Sequence, residues 1–300
     1  MVGRTLLADP RASAHQIVAP THRDLDFADE AACRGLMEES RPEVVVHLAA
    51  IVGGIQANID SPVKFLIENV RLAVSVLSAA RDAGAHAVFN IASSCMYPRG
   101  IDEPMAPNRL LTGAFEPTNE GYALAKVVAW KLGEYLERES PGLTCRTLVP
   151  CNLYGPFDDF DPVRAHLVPS TVRKVAEAVE QGRSTVVIWG DGAARREFMF
   201  AADLADFIWT HLEDAASLPP TMNIGVGEDH SVLEYYQIAA RAAGWRGRFV
   251  FDRSRPVGMA RKLLDVSAQT ALGWAPKVSL DEGVARTLAH FLHTRTEGVA

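Results

Sequence analysis

Tyr122 and Lys126 stand four residues apart in Gly121-Tyr122-Ala123-Leu124-Ala125-Lys126, a spacing that puts both on one face of a helix, near its start. An ammonium beside a phenol favours the phenolate, so this tyrosine is expected to exchange a proton with a substrate oxygen near neutral pH. Upstream, Ser93-Ser94-Cys95-Met96-Tyr97-Pro98 follows the apolar run Ala87-Val88-Phe89-Asn90-Ile91-Ala92. If that run is a strand of an open α/β sheet, the serine lies at its carboxyl end, where such sheets bind ligands. A hydroxyl there and the Tyr/Lys pair would surround a carbonyl or alcohol being reduced or oxidised.

Those positions require a parallel sheet with helices between its strands. Short apolar runs at 16–19, 44–49, 87–92 and 145–149 read as strands. They alternate with helical stretches at 29–39, from Ser61-Pro62 to Gly84, and at 121–138. The run at 44–49 is β-branched throughout its first half, as in a strand buried on both faces. Ser61 reads as an N-cap and Pro62 as a first-turn residue. Strand, helix, strand at this rhythm gives a doubly wound α/β fold with a parallel, Rossmann-like sheet. The second half is less regular: a helix at 170–180, a strand at 185–189, a Gly190-Asp191-Gly192 turn, and helices at 202–214, 233–243 and 281–293.

The 300 residues suffice for one large domain or two modest ones. A formal net charge of −7 with scattered lysines and arginines argues against a nucleic-acid or anionic-membrane surface. The longest nearly apolar stretch, 44–55, is too short to span a bilayer. Asp9, Pro10 and Arg11 interrupt any signal-peptide core. Cys33, Cys95, Cys145 and Cys151 show no paired spacing, so a reduced, cytoplasmic protein without a structural metal is expected.

On longer segments the chain resembles the extended short-chain dehydrogenase/reductases, in their GDP-L-fucose synthase branch. The resemblance rests on Leu48-Ala49-Ala50-Ile51-Val52-Gly53-Gly54-Ile55-Gln56-Ala57-Asn58, Ser93-Ser94-Cys95-Met96-Tyr97-Pro98 and Glu116-Pro117-Thr118-Asn119-Glu120-Gly121-Tyr122-Ala123-Leu124-Ala125-Lys126. It continues through Asn152-Leu153-Tyr154-Gly155-Pro156, Trp189-Gly190-Asp191-Gly192, Arg196-Glu197-Phe198 and Arg261-Lys262-Leu263-Leu264-Asp265-Val266.

The resemblance implies NADPH-dependent epimerisation at C3 and C5 and reduction at C4 of a GDP-4-keto-6-deoxy-hexose. Cys95 matches the family's base and His166 its acid, with Ser93 and Tyr122 on the C4 oxygen and Lys126 on the nicotinamide ribose. An NADP(H) site is implied at Gly3, Ala49, Ala50, Ile91, Ala92, Ser93, Tyr122, Lys126, Pro150, Asn152, Leu153 and His166. His22 and Arg23, after the strand expected at 16–19, suit a 2′-phosphate. Substrate contacts are implied at Lys174, Trp189, Arg196 and Lys262, and Asn69 matches an asparagine that orders the site. Pro256-Val257-Gly258 stands where the family has Pro-Asp-Gly, and valine offers a ribose hydroxyl no acceptor.

Met1-Val2-Gly3 matches only the end of the family's glycine-rich turn, and a misassigned start is expected over a truly short product. The implied division is a dinucleotide-binding domain at 1–155 with about 197–227, lacking its first strand, and a smaller α/β substrate domain at about 156–196 and 228–300. A homodimer through the helices at 61–81 and 121–138 is also implied. Two rival readings stay open: an epimerase-only or reductase-only enzyme on a related nucleotide sugar such as a GDP-heptose, and a non-catalytic sugar-nucleotide-binding homologue.

Overall fold

Apolar runs and striped helices alternate along the first half, which folds as α1 (Val2–Leu7), α2 (Glu30–Ser40), β1 (Val44–His47), α3 (Ile55–Asp60), α4 (Pro62–Asp82), β2 (Ala87–Ile91), α5 (Glu120–Glu139), β3 (Thr144–Pro150) and β4 (Asn152–Tyr154). The computed structural model describes residues 1–255 and 257–296. The second half continues with α6 (Leu167–Glu180), β5 (Thr185–Trp189), β6 (Arg195–Arg196), β7 (Phe198–Phe200), α7 (Ala201–Thr210), β8 (Thr221–Ile224), β9 (His230–Ser231), α8 (Val232–Ala243), β10 (Arg248–Asp252), β11 (Arg261–Lys262), α9 (Ser267–Ala271) and α10 (Leu280–Thr296).

The main sheet has the order β1-β2-β3-β8, and every pair is parallel. Parallel strands need crossovers, and helices supply them on both faces. Cys33 and Met37 of α2 pack with Val76 and Leu77 of α4 and Leu136 of α5 in one cluster. Leu6 of α1, Trp130 of α5 and Leu204 and Phe207 of α7 pack in another, with Phe89 and Leu148 of the sheet. A third cluster joins α6, α8 and α10 through Val172, Tyr235 and Leu288. Beside it lie the parallel pair β10-β5 and the small sheet β11-β6-β9. Among the described residues no helix is long and apolar enough to cross a membrane.

Two local expectations fail. Residues 16–19 form no strand: the free side of the edge strand β1, which bonds only to β2, is not paired by them, and their apolar side chains are not buried. Ile17 and Val18 are accordingly 40% and 52% exposed. Ser61 makes no side-chain cap, because it enters α4 straight from the end of α3 with φ −141° and ψ 52°. Pro62 does occupy the first turn, and Gly84, at φ +78°, ends the helix in the left-handed conformation glycine favours. Pro256 of the Pro-Val-Gly turn and residues 297–300 of the expected substrate domain lie outside the described residues.

Candidate active site

The strand ends build the floor of the site. Ala49 and Ala50 follow β1, Ile91 ends β2 and leads into Ala92, and Pro150 ends β3. Gly3 stands against this floor: a Cβ there would lie 3.5 Å from Leu48 Cδ1. Beyond β1 the Gly53-Gly54 segment turns back, held by Asn58, whose Nδ2 donates to the carbonyls of Gly53 and Gly54. Asn69 is buried rather than solvated. Its side chain accepts from Ile51 N at 2.9 Å and donates to Ile51 O at 3.0 Å, fixing that backbone from α4. Gly54 in turn faces the carbonyls of Arg164 and Ala165, which carry the chain into His166.

Ser93 leaves β2 with extended backbone, and its hydroxyl accepts from Cys95 N at 3.2 Å, turning the chain so that Cys95 follows on a 3₁₀ turn. The same hydroxyl hydrogen-bonds the Tyr122 phenol. Lys126, one turn further along α5, is buried. Its one hydrogen bond among the described residues goes to Ile91 O at 2.9 Å.

The charge balance of the pair differs from expectation. The Lys126 ammonium lies 5.8 Å from the centre of the Tyr122 ring. Burial, then the neighbouring Cys95, push the phenol above its ordinary value, outweighing the Ser93 bond that pulls it down. Burial also lowers Lys126 to about 8. The resting phenol is therefore neutral, the form that donates a proton.

Cys95 is the one cysteine of the four that is not fully buried. Two groups donate to its sulfur: Asn119 Nδ2 at 3.1 Å and Lys262 Nζ at 3.4 Å. Lys262 pairs with Arg196 across β11 and β6. His166 stands at the position before the first turn of α6 without a side-chain cap bond, and desolvation, then the Lys262 ammonium, hold its imidazole below the ordinary value. Ser93, Cys95, Tyr122, Lys126, His166, Arg196 and Lys262 thus share one cleft.

Lys174 and Trp189 form its far end with Arg255. The Lys174 ammonium is 5.6 Å from the Trp189 ring centre, and the Arg255 guanidinium 5.0 Å. Val257 packs against Gly190, and its carbonyl accepts from Arg196 Nη2 at 2.8 Å. Asn152 serves the scaffold, donating from Nδ2 to Glu197 O at 2.9 Å, and Leu153 is half-buried beside it in β4. His22 and Arg23 lie on an exposed turn, because the strand expected to present them does not form.

Three residues of the site escape sequence reasoning. Asn119 lies within the Glu116–Lys126 segment, which gives it no role of its own. Glu197, between Arg196 and Phe198, is buried, and its carboxylate accepts from Val226 N, Gly227 N and Leu264 N at 2.7–2.8 Å. His47 ends β1 fully inside the sheet, with Nδ1 unpartnered. For His47 the available signal was a polar residue inside the apolar run at 44–49.

Residues 1–225 match the sequence pattern of the "NAD dependent epimerase/dehydratase family". The chain is 47% identical over 292 residues to the GDP-L-fucose synthase of Azorhizobium caulinodans, covering 97% of this chain and 93% of that one. It is 42% identical over 295 residues to the GDP-L-colitose synthase of Yersinia pseudotuberculosis, covering 98% and 96%. A solved structure of a GDP-mannoheptose C4 reductase from Campylobacter jejuni with NADP bound superposes with a TM-score of 0.87 at 26% identity, covering 97% and 95%. The chain belongs to the NAD-dependent epimerase/dehydratase family, in the GDP-L-fucose synthase branch.

Proposed function

We propose that the protein is an NADPH-dependent epimerase/reductase that inverts C3 and C5 of GDP-4-keto-6-deoxy-mannose and reduces C4, giving GDP-L-fucose. The observation that carries this reading is the cleft in which Cys95 lies beside the Ser93–Tyr122 pair. Protons on the carbons flanking a ketone are acidic. Cys95 takes one, His166 returns one from the other side, and Ser93 and Tyr122 hydrogen-bond the C4 oxygen while it carries enolate charge.

The cofactor fits Lys126, whose buried ammonium has donors to spare at the strand ends, where they suit a ribose diol. Ala49, Ala50 and Ala92 leave room for close approach. NADPH would supply the hydride for C4. Tyr122, held protonated, gives its proton to the resulting oxygen. Lys174, Trp189 and Arg196 receive the nucleotide diphosphate by stacking and by charge-assisted hydrogen bonds.

The division into 1–155 with about 197–227, and about 156–196 with 228–300, is supported by the third apolar cluster, which gathers α6, α8 and α10 and takes in Tyr154, Phe198 and Phe200 from the first unit. A homodimer is supported by one apolar stripe across two helices: Val63 and Ile67 of α4, and Leu124, Val128 and Tyr135 of α5, all exposed.

NMR in deuterated water with GDP-4-keto-6-deoxy-mannose tests the chemistry. Deuterium should enter at C3 and C5, and the product with NADPH should be GDP-L-fucose. Reduction without exchange would leave a 4-reductase. A related nucleotide sugar is the second reading, favoured by Val257, which removes a side-chain acceptor from the nucleotide end.

A further inference from the structure

The sulfur of Cys95 is held from two sides by groups that come from distant parts of the chain. Asn119 closes the long loop before α5, and Lys262 sits on β11. Both are N–H donors, at 3.1 Å and 3.4 Å, and neither approach is accidental. The loop is clipped to the strand at Met105, which donates to Leu263 O at 2.9 Å and accepts from Asp265 N at 3.1 Å. Lys262 is 9% exposed and extends from a strand that Glu197 fastens through Leu264 N. Asn119 leaves its Oδ1 buried and unpartnered while its Nδ2 is spent on sulfur. An amide that forgoes a bond at its oxygen to reach a thiol is placed for that thiol.

Donors of this kind interact with a sulfur atom most strongly when it is negative. We infer that Asn119 and Lys262 are positioning residues that clamp Cys95, aiming Sγ into the cleft and stabilising the thiolate that removes a proton from carbon. In that step the C–H bond breaks, its electron pair passes into the enolate, and the proton goes to sulfur. The ammonium of Lys262 keeps its own protons throughout. The inference rests on the reading of Cys95 as base, and two measurements keep the two ideas apart.

The first needs no substrate. Cys95 is the accessible cysteine, so alkylation of the whole protein by iodoacetamide, followed by intact mass, reports its reactivity. Alkylation should slow by about tenfold in Asn119→Leu and in Lys262→Met, and further in the double variant. The second is deuterium exchange into GDP-4-keto-6-deoxy-mannose. In Asn119→Leu its kcat should fall by about tenfold or more while KM moves by less than about twofold, since a positioning donor acts on the step and not on binding.

Asn119→Gln and Lys262→Gln replace these variants if melting shows misfolding. Wild-type alkylation and exchange in folded variants at both positions would overturn the clamp. If Cys95→Ser keeps full exchange, the base assignment falls by itself, and alkylation still judges the clamp.

Discussion

At the residue scale, the site works through protonation states set by burial. Tyr122 is a neutral phenol in the free protein because its apolar surroundings and the Cys95 sulfur outweigh Ser93, so it is poised to donate. Tyr122→Phe should lower NADPH-dependent reduction by about 10²–10⁴-fold, the range for a lost general acid, while NADPH still binds by fluorescence titration. Lys126→Met should act on binding: NADPH affinity falls by about tenfold or more in the same titration, because its charge-assisted bonds are lost. Affinity in the unaltered protein should also decline as pH rises through about 8, where the lysine gives up its charge. The Tyr/Lys spacing, Ser93 and Cys95 were legible in the sequence because their chemistry is local to short motifs. Their electrostatics were not, since the depth of burial that reverses the expected effect of Lys126 on Tyr122 is a property of packing. Asn119 and Glu197 were hidden for a related reason: their partners lie tens of residues away.

At the element scale, α5 reaches its place because Gly121 lets its first turn meet the start of α4. A Cβ at Gly121 would stand 2.6 Å from Pro62 O, and backbone cannot yield as a flexible side chain does. Gly121→Ala should destabilise the fold by about 1–3 kcal/mol, read by chemical denaturation, and lower activity as Tyr122 shifts with the turn. Strand β1 supplies a pH dependence through His47, lowered to about 3 by burial and then by Lys126, against about 6.5 when unfolded. The unfolded chain binds the extra proton between those values, so stability is lost as pH falls below 6.5. Glu197 acts with the opposite sign: burial raises it to about 7 from 4.5, and stability declines as pH rises from 4.5 to 7. Melting of His47→Leu across pH 4 to 7 should show a flatter acid limb than the unaltered protein, whereas Glu197→Gln should show a steeper one. The parallel strands and long helices matched their sequence patterns within a few residues. The strand expected at 16–19 did not, because a strand exists only with a neighbour, and apolar alternation says nothing of whether one is there.

At the scale of the whole molecule, the apolar stripe on α4 and α5 is exposed, and in the proposed homodimer a second copy of the same pair of helices would cover it. Ile67→Asp together with Val128→Asp should convert a dimer into a monomer in sedimentation velocity, without loss of NADPH binding. A species that is monomeric before the substitutions would remove the dimer from the proposal. The clip at Met105 has a consequence for synthesis. One donor to Cys95 lies before α5 and the other on β11, and the bonds that join their segments involve residues 105, 263 and 265. Synthesis therefore delivers Cys95 and Tyr122 well before Lys262, the second donor. The reactive sulfur stays without its second donor until β11 has been made, so the proposed clamp on Cys95 is among the last parts of the site to be assembled.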